Sequence, residues 1–317
     1  MKDNVTHKNK KCEVWAVGSG KGGTGKSFIT SSIGIHLASK GKKIVLVDAD
    51  FGAANLHTFV GVGKPQNSLT DFFEKKTPLK DLVVNCGVSD LGLVAGSMRS
   101  FEAENIKSQQ KVKFFKHINQ IETDIILIDL GAGSHFNTMD TFLLADKMIV
   151  VVAPELTAIE NLYQFIKSAF FRKLRLVLDA HGLKTTFQET WKDREARGIK
   201  SLKDLIEYLI CVSPQVRDII SREMSDFNLH IVVNQMRNGQ DVFIGSSVKS
   251  ICMKFLGFNA RYSGSVEYDE SVTRCINRKQ PFMVTYPSSP VARAIGKLSE
   301  NLLEGKEIII GKNGSAY

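Results

Sequence analysis

Short runs of apolar, mostly β-branched residues alternate along the chain with stretches of helical periodicity. The apolar runs predict strands at Val14–Val17, Ile44–Val47, Leu91–Val94, Ile125–Ile128, Met148–Val152 and His230–Val233. The stretches between them predict helices at Lys26–Ser39, at Glu102–Ile121 and near Val242–Leu256. Strands that are apolar on both faces are typical of parallel sheets covered by helices. The pattern therefore predicts an α/β fold, a mostly parallel sheet with helices on both faces.

One long stretch interrupts this alternation. About 75 residues separate Pro154 from His230, whereas a strand–helix–strand crossover needs about 30 residues in all. Within this stretch Ser201 is a candidate N-cap for one helix, and Ser213-Pro214 marks the start of another. We therefore predict a single domain over residues 1–317, with a mostly helical insertion at 171–228.

The insertion has two interpretations. Its positive and negative charges nearly balance, which argues against a DNA-binding or lipid-binding arm. Its apolar stripes suit a structural cap on the edge of the sheet. However, four aromatic residues lie around an otherwise polar stretch, namely Phe170, Phe171, Phe187 and Trp191. Because aromatic anchors dominate protein interfaces, they favour a docking surface for a protein partner.

Composition narrows the class of protein. The 317 residues include 42 Lys and Arg against 33 Asp and Glu, so the net charge of +9 favours anionic partners such as nucleotides, nucleic acid or acidic lipid. The five cysteines include no CxxC pair, as in a reduced cytoplasmic protein without a disulfide framework. No apolar run is long enough to span a membrane, and Met1–Lys11 is too polar for a secretory signal. We therefore expect a cytoplasmic location.

The strongest motif lies between the first predicted strand and the first predicted helix. Its sequence is Gly20-Lys21-Gly22-Gly23-Thr24-Gly25-Lys26-Ser27, which fits G-x-x-x-x-G-K-[ST] and predicts a P-loop NTPase sheet. The glycines allow backbone N–H groups to wrap phosphate oxygens, and the helix N-terminus adds positive potential. Lys26 is expected to reach the β- and γ-phosphates, and the Ser27 hydroxyl to bind Mg²⁺.

The same loop also fits a weaker pattern. Gly18 through Gly23 match G-x-G-x-x-G, and Asp48 ends the second strand about where a dinucleotide fold places its ribose-binding acid. That alternative gives no role to Lys26 and Ser27.

Acidic residues follow two of the predicted strands. Asp129 directly follows Ile125–Ile128, where P-loop NTPases place an Asp beside the magnesium. Asp48 and Asp50 close the second strand, and residues at i and i+2 of an extended segment point to the same side. One of them can help to organise a Mg²⁺ site while the other positions a water molecule.

The loop also has a second lysine, Lys21, and in this it resembles the deviant Walker A motif of the MinD/ParA family. The resemblance continues through Asp48–Leu56, Asp129–Gly133, Val150–Glu155, Val232–Gln235, Gly264–Asp269 and Gln280–Pro290. Asp-x-Gly-Ala-Gly, Pro-Glu-x-Thr-Ala and the Pro-Phe to Tyr-Pro-x-Ser-Pro ending are most similar to the FlhG (FleN) branch, which controls flagellar number and placement. The insertion lies outside the match.

The resemblance implies a role for each matching residue. Lys21 matches the signature lysine that reaches the partner's phosphates in an ATP-sandwich homodimer, and Asp50 matches the acid that orients the attacking water. Asn234 matches the side chain that reads the adenine, and Glu267 and Asp269 lie where the second adenine-side loop sits. The implied catalytic residues are Asp50, Lys21 and Lys26. The implied nucleotide-binding residues are Gly20, Lys21, Gly22, Gly23, Thr24, Gly25, Lys26, Ser27, Phe28, Asn234, Glu267 and Asp269. The implied Mg²⁺ residues are Ser27, Asp48 and Asp129.

The resemblance also implies a function: slow ATP hydrolysis that switches a dimer on and off and so positions a cellular structure on the membrane or the nucleoid. Members of the family can end in an amphipathic membrane helix. In this chain the apolar stripe Val291, Ile295, Leu298 and Leu302 instead predicts the last core helix. The alternative is a metabolic ligase of the dethiobiotin-synthetase type on the same fold. Lys21, the acids at 48 and 50 and Asn55 favour the positioning ATPase.

Overall fold

The computed structural model describes residues 12–50, 52–96 and 108–310. Three parts of the segments named above lie outside these ranges, namely Met1–Lys11, Phe51 within Asp48–Leu56, and the start of the predicted helix at Glu102. By their contacts the described residues fall into two compact units. The first comprises the described residues within Met1–Val17, Ser27–Gly131 and Glu270–Ser288, and the second those within Gly18–Lys26, Ala132–Asp269 and Ser289–Tyr317. The prediction of a single domain stays a prediction.

The first unit is built on five strands in the order β3-β4-β2-β5-β1. These are β1 (Glu13–Gly18), β2 (Ile44–Ala49), β3 (Val84–Asn85), β4 (Leu91–Val94) and β5 (Ile125–Leu130). All pairings among them are parallel except the short antiparallel pair β3–β4. Every residue of β2 and β5 is buried, as the apolar runs Ile44–Val47 and Ile125–Ile128 predict, and this burial includes Asp48 and Asp129 near the strand ends.

Helices of the first unit connect and cover these strands. They are α1 (Lys26–Ser39), α2 (Leu56–Phe59), α3 (Leu69–Glu74), α4 (Ser108–Ile118), α11 (Glu270–Asn277) and α12 (Phe282–Thr285), with a 3₁₀ turn at Leu79–Leu82. In α1, a Cβ added to Gly34 would lie 2.6 Å from Leu46 Cδ2, so this helix approaches β2 closely. The predicted helix Glu102–Ile121 is wrong at its end: α4 stops at Ile118, and turns at His117 to Ile121 follow it.

The second unit has a sheet of three parallel strands in the order β6-β7-β8. They are β6 (Lys147–Val152), β7 (Leu229–Met236) and β8 (Arg261–Glu267). Its helices are α5 (Phe136–Leu143), α6 (Leu156–Ala180), α7 (Lys184–Lys192), α8 (Leu202–Val212), α9 (Pro214–Ser225), α10 (Phe243–Ile251) and α13 (Pro290–Glu304). A 3₁₀ turn at Gly239–Val242 precedes α10, and a π-helical turn at Cys252–Leu256 follows it, so the helix predicted near Val242–Leu256 is three consecutive pieces.

Serine caps begin the predicted helices of the second unit. Ser201 and Asp204 form a reciprocal capping box at α8, and Ser213 Oγ accepts from Val216 N at α9. Ser289 caps α13 in the same way, and the stripe Val291, Ile295, Leu298 and Leu302 is buried, which confirms the predicted core helix. No helix of the described ranges is both long and apolar enough to cross a lipid bilayer.

The predicted insertion begins inside a helix. α6 runs without a break for 25 residues, from Leu156 to Ala180, past the predicted boundary at residue 171. Its buried face includes Phe165 and Phe170, and Phe170 packs against Phe227 and Phe258 at ring-centroid distances of 4.9 and 4.7 Å. The 171–228 stretch is mostly helical, as predicted, and Phe227 near its end is part of this aromatic core.

Candidate nucleotide-binding site

The glycine-rich loop is the link between β1 and α1, and residues 18–26 belong to the second unit. Ser19 Oγ donates to the carbonyl of Lys21 at 3.0 Å, and Gly133 N donates to the carbonyl of Ser19 at 3.0 Å. A Cβ at Gly20 would lie 2.3 Å from the backbone of Asn161, so only glycine allows this approach to α6. The start of the loop is therefore closely packed against α6, and its backbone can form the concave cradle that binds phosphate in P-loops.

Two adjacent side chains at the end of β7 hold the middle of the loop. Asn234 Nδ2 donates to the carbonyl of Thr24 at 2.9 Å, and Gln235 Nε2 donates to the carbonyl of Gly23 at 3.1 Å. A Cβ at Gly25 would lie 2.1 Å from Asn234 Nδ2. Asn234 is therefore a support of the loop, a contact that the sequence did not reveal. Its adenine-reading role stays a prediction.

The two lysines of the loop lie in different surroundings. Lys26 is buried. Lys21 Nζ lies 3.0 Å from Glu155 Oε2 and 3.2 Å from Thr157 Oγ1, both at the start of α6. The Lys21 and Glu155 side chains are 41% and 59% exposed, so this is a surface ion pair, and such pairs contribute about 0–1 kcal/mol. Lys21 can therefore leave this position at little cost.

In the first unit, the acids of β2 and β5 come together as predicted. Asp48 and Asp129 are direct neighbours in the parallel register of these strands, and both are buried. Ser27 Oγ donates to Asp129 Oδ2 at 2.6 Å, and Thr30 Oγ1 donates to Asp129 Oδ1 at 3.1 Å. The structure thus joins two of the predicted Mg²⁺ residues, Ser27 and Asp129, by a short charge-assisted hydrogen bond.

Asp48 and Asp50 order the loop that follows β2. The carboxylate oxygens of Asp48 accept from Asp50 N at 3.1 Å and from Leu56 N at 3.0 Å. Asp50 Oδ1 accepts from Gly52 N at 3.3 Å and Ala53 N at 3.0 Å. Asp48 therefore shapes the loop that carries Asp50. Its predicted Mg²⁺ role and the water-orienting role of Asp50 stay predictions.

These oxygen donors fit a magnesium ion in the way that P-loop proteins bind it. Mg²⁺ usually takes one or two carboxylates and substrate phosphates, and it retains several waters. The Ser27 hydroxyl and the Asp129 carboxylate are donors of that kind. The described residues contain no cluster of three or more His, Cys, Asp or Glu side chains arranged to hold a metal by themselves.

Glu267, predicted on the adenine side, lines an open cavity of about 610 Å³. Its other lining residues are Met236, Arg237, Asn238, Gly239, Val242 and Tyr268. The guanidinium carbon of Arg237 lies 4.1 Å from the centroid of the Tyr268 ring. Asp269 follows two residues after Glu267. The cavity thus lies at the ends of β7 and β8. The family resemblance implies that residues at both of these ends contact the adenine.

Phe28 is placed differently from the other predicted nucleotide-binding residues. Its side chain is buried and meets Phe282 edge-on, with ring centroids 5.6 Å apart. Only its backbone N–H is therefore suited to a phosphate.

Two of the four aromatic residues proposed as docking anchors are core residues. Phe170 is fully buried and Phe187 is 3% exposed, because α7 packs on α6 and the Phe171 ring lies 5.3 Å from Phe187. Trp191, at 37% exposure, also contacts the Phe171 ring, at 4.6 Å. The expectation that all four form a docking surface is wrong, because Phe170 and Phe187 are buried; Phe171 is half-buried, and Trp191 is the most exposed of the four.

Glu155, Thr157 and Gln235 contact the loop, although no sequence pattern predicts this role for them. Glu155 and Gln235 occur in the stretches that carry the family resemblance, and Thr157 occurs in the Pro-Glu-x-Thr-Ala motif. That was the only signal, because they lie 134, 136 and 212 residues from the loop residues they contact.

The sequence of the chain matches one protein-family model and several known proteins. A family model described as an AAA domain matches residues 12–178. An uncharacterized ATP-binding protein of Methanocaldococcus jannaschii is 35% identical over 255 residues, which cover 80% of this chain and 90% of the relative. The antiactivator FleN of Pseudomonas aeruginosa is 23% identical, over 92% of this chain and 86% of its own.

The fold has solved counterparts. The septum site-determining protein MinD of Pyrococcus horikoshii, solved in complex with Mg-ADP, aligns with a TM-score of 0.64 and 18% identity, covering 93% of this chain and 98% of its own. The predicted fold class, a mostly parallel P-loop NTPase sheet with helices on both faces, is confirmed.

Proposed function

Because the chain belongs to the MinD/ParA-type P-loop ATPases, we propose that it is an ATP-switched positioning protein that forms an ATP-sandwich homodimer and hydrolyses ATP slowly. Each ATP would lie between two subunits, with the loop of one subunit around its phosphates. Monomer and dimer would then be the two states of the switch, and hydrolysis would set the time between them.

The observation that carries this proposal is the position of Lys21. Its ammonium group is held at an exposed site by Glu155 and Thr157. Lys26 is the buried lysine of the same loop. A loop with one buried and one exposed cation suits a site in which Lys26 binds the phosphates of its own subunit and Lys21 those of a partner.

The acids of the first unit support a hydrolytic role. A magnesium ion, when bound, would neutralise the phosphate charge, and Ser27 and Asp129 are the residues that would hold it. Asp50 lies on a loop ordered by Asp48, and its Oδ1 lies 3.4 Å from a Cβ built on Gly131. We expect Asp50 to orient the attacking water.

We expect the protein to share with its family the kinds of partner that it binds and the membrane or nucleoid surface on which it acts. The resemblance to FleN over most of both chains supports an FlhG-like role in flagellar number or placement. A protein partner could dock on the 171–228 segment, with Trp191 as its exposed aromatic residue. A cytoplasmic protein of net charge +9 can also associate with anionic membrane or nucleoid surfaces.

The proposal is tested by measuring the molar mass with light scattering after size exclusion. With Mg²⁺ and a non-hydrolysable ATP analogue the mass should double from 35.2 kDa, whereas with ADP it should remain monomeric. ATP binding without doubling would contradict the sandwich dimer and favour a ligase of the dethiobiotin-synthetase type, which need not dimerise with ATP.

A further inference from the structure

Asn234 and Gln235 are consecutive residues of β7, yet both side chains bond to the glycine-rich loop. In a regular strand, successive side chains point to opposite faces, so two neighbours cannot both reach one loop. The bonding partners are themselves consecutive: Asn234 holds the carbonyl of Thr24 and Gln235 holds the carbonyl of Gly23.

The backbone at Gln235 explains how this is possible. Gln235 has φ +62°, in the left-handed region that few residues other than glycine adopt. The register of β7 against β8 shifts between Val233 and Met236, so the strand is irregular at this point. Irregularities of this kind redirect side chains and recur beside active sites. Here the redirected side chain is Gln235.

The two hydrogen bonds fix the orientation of two peptide groups in the loop. In a trans peptide, the C=O and the following N–H point in opposite directions. Holding the Gly23 carbonyl toward β7 therefore turns the Thr24 N–H away from it, and holding the Thr24 carbonyl does the same for the Gly25 N–H. Both glycines of this segment have positive φ, which leaves the loop free to flip if the carbonyls are released.

We propose that Gln235 is a positioning residue for phosphate binding, which keeps successive loop N–H groups preset for phosphate oxygens. The assignment rests on the proposed nucleotide-binding function and extends it to a residue outside the phosphate-loop motif. The left-handed backbone at Gln235 lets its amide reach the Gly23 carbonyl.

Two substitutions separate this role from a structural one. Gln235→Met keeps the length of the side chain and removes the donor. Gln235→Gly also removes the donor, but it relieves the unfavourable backbone conformation, so the nucleotide-free protein should melt at the same or a higher temperature. Lys76→Gly is the matched control, because Lys76 has φ +58° at an exposed position in the first unit.

The measurement is the Kd for Mg-ADP by titration calorimetry, together with the Tm of each nucleotide-free variant. Both Gln235 variants should bind Mg-ADP about three- to tenfold more weakly, which corresponds to the loss of one hydrogen bond. Lys76→Gly should bind like the wild type. For Gln235→Gly, weaker binding combined with an undiminished Tm is the result that a purely structural residue would not give.

Three results would overturn the assignment. Wild-type Kd values, within about twofold, in both Gln235 variants would show that the amide does not set the loop. A marked fall in Tm, or unfolding, in both variants would identify Gln235 as a structural residue instead. A wild type that binds no nucleotide would remove the proposed function together with this assignment. If wild-type binding is normal but no ATP dimer forms, only the dimer proposal is lost.

Discussion

The acid-bearing ends of β2 and β5 and the glycine-rich loop are organised in different ways. In the first unit the motif residues bond to one another: Ser27 to Asp129, and the Asp50 amide to Asp48. In the second unit the loop is held by side chains from distant parts of the chain, at the start of α6 and the end of β7. The acids accept hydrogen bonds from residues of the predicted motifs, such as Ser27 and Asp50, whereas the side chains that hold the loop lie outside its motif.

The two arrangements also differ in how deeply their charged side chains are buried. Asp48 and Asp129 are buried and accept several hydrogen bonds each. Lys21, in contrast, is held only at the surface, by Glu155 and Thr157. We therefore expect substitutions among the acids to change hydrolysis and substitutions around the loop to change binding or dimerisation.

Lys26→Ala should have the largest effect. Removing the buried lysine of the loop takes away the charge expected to meet the β- and γ-phosphates, so nucleotide binding should be lost. Titration calorimetry with ATP measures this directly. Lys40→Ala, just after the other end of α1, is the matched control and should bind normally. If Lys26→Ala retained wild-type affinity, the loop would not be the phosphate site.

Asp50→Ala should separate binding from hydrolysis. The carboxylate is expected to position water, a contribution of about 10²–10⁴ in rate, while the loop in the other unit is untouched. ATP binding should persist, phosphate release should fall by about that factor, and the dimer should accumulate. Exposed Asp81→Ala serves as the control. Hydrolysis at the wild-type rate would remove Asp50 from the mechanism.

Within the second unit, Phe187 and Trp191 should respond differently to truncation. Phe187 is buried against Phe171, so Phe187→Ala should lower the free energy of unfolding by about 3 kcal/mol. Trp191 is partly exposed, so Trp191→Ala should lower the free energy of unfolding by less than Phe187→Ala does. Its main effect should be on the binding of a protein partner. Denaturant unfolding with ADP titration tests both, and ADP affinity should remain unchanged. A lower ADP affinity in Phe187→Ala would mean that α7 and the loop are coupled.

The stability of β7 should depend on pH through His230. Burial, with the charges of Arg261 and Lys147, lowers the pKa of His230 from 6.5 to about 3. His230 Nδ1 lies 2.7 Å from Ser263 Oγ and Nε2 lies 3.0 Å from Asn228 Oδ1, contacts that suit the neutral ring. Below pH 6.5 His230 is protonated in the unfolded chain, whereas in the folded chain it stays neutral until the pH approaches 3. The free energy of unfolding should therefore fall as the pH drops from 6.5 toward 3.

The control for this pH dependence is His230→Gln, which cannot titrate. The slopes of unfolding free energy against pH should differ between wild type and variant by up to about 1.4 kcal/mol per pH unit in this window. Equal slopes would show that His230 does not carry the dependence. ADP affinity measured over the same range shows whether the other end of β7, at Asn234 and Gln235, loosens with it.

Much of the fold could be predicted because its strands are strongly apolar. All six predicted strands are present, and α1 has its predicted bounds. The sequence did not predict β8, because Arg261, Ser263, Gly264 and Ser265 give it no apolar signature. Ser263 is nevertheless buried, since it meets His230 and its carbonyl accepts from Asn301. Tertiary partners, which no local pattern contains, make this polar strand stable.

The motif residues of the candidate site were also predictable from the sequence, whereas the contacts that support them were not. Its acids and its glycine-rich loop are local motifs, and each predicted acid of β2 and β5 lies at the expected strand end. The contacts of Lys21 and Gln235 were not predictable, because long-range contacts and one left-handed residue create them. The interpretation of the aromatic residues at the insertion as docking anchors was wrong for Phe170 and Phe187, because a polar sequence context does not reveal that these side chains are buried.

The central claim is that Lys26 serves the phosphates of its own subunit and Lys21 those of the partner. Mixing Lys21→Ala with Lys26→Ala tests it most directly, because the mixed dimer contains one site with both lysines. Each variant alone should hydrolyse no ATP, and the mixture should regain activity. A mixture of Lys26→Ala with Asp50→Ala should remain inactive, because its one ATP-binding subunit lacks the water-orienting acid. Absence of activity at every ratio of Lys21→Ala to Lys26→Ala would contradict the account.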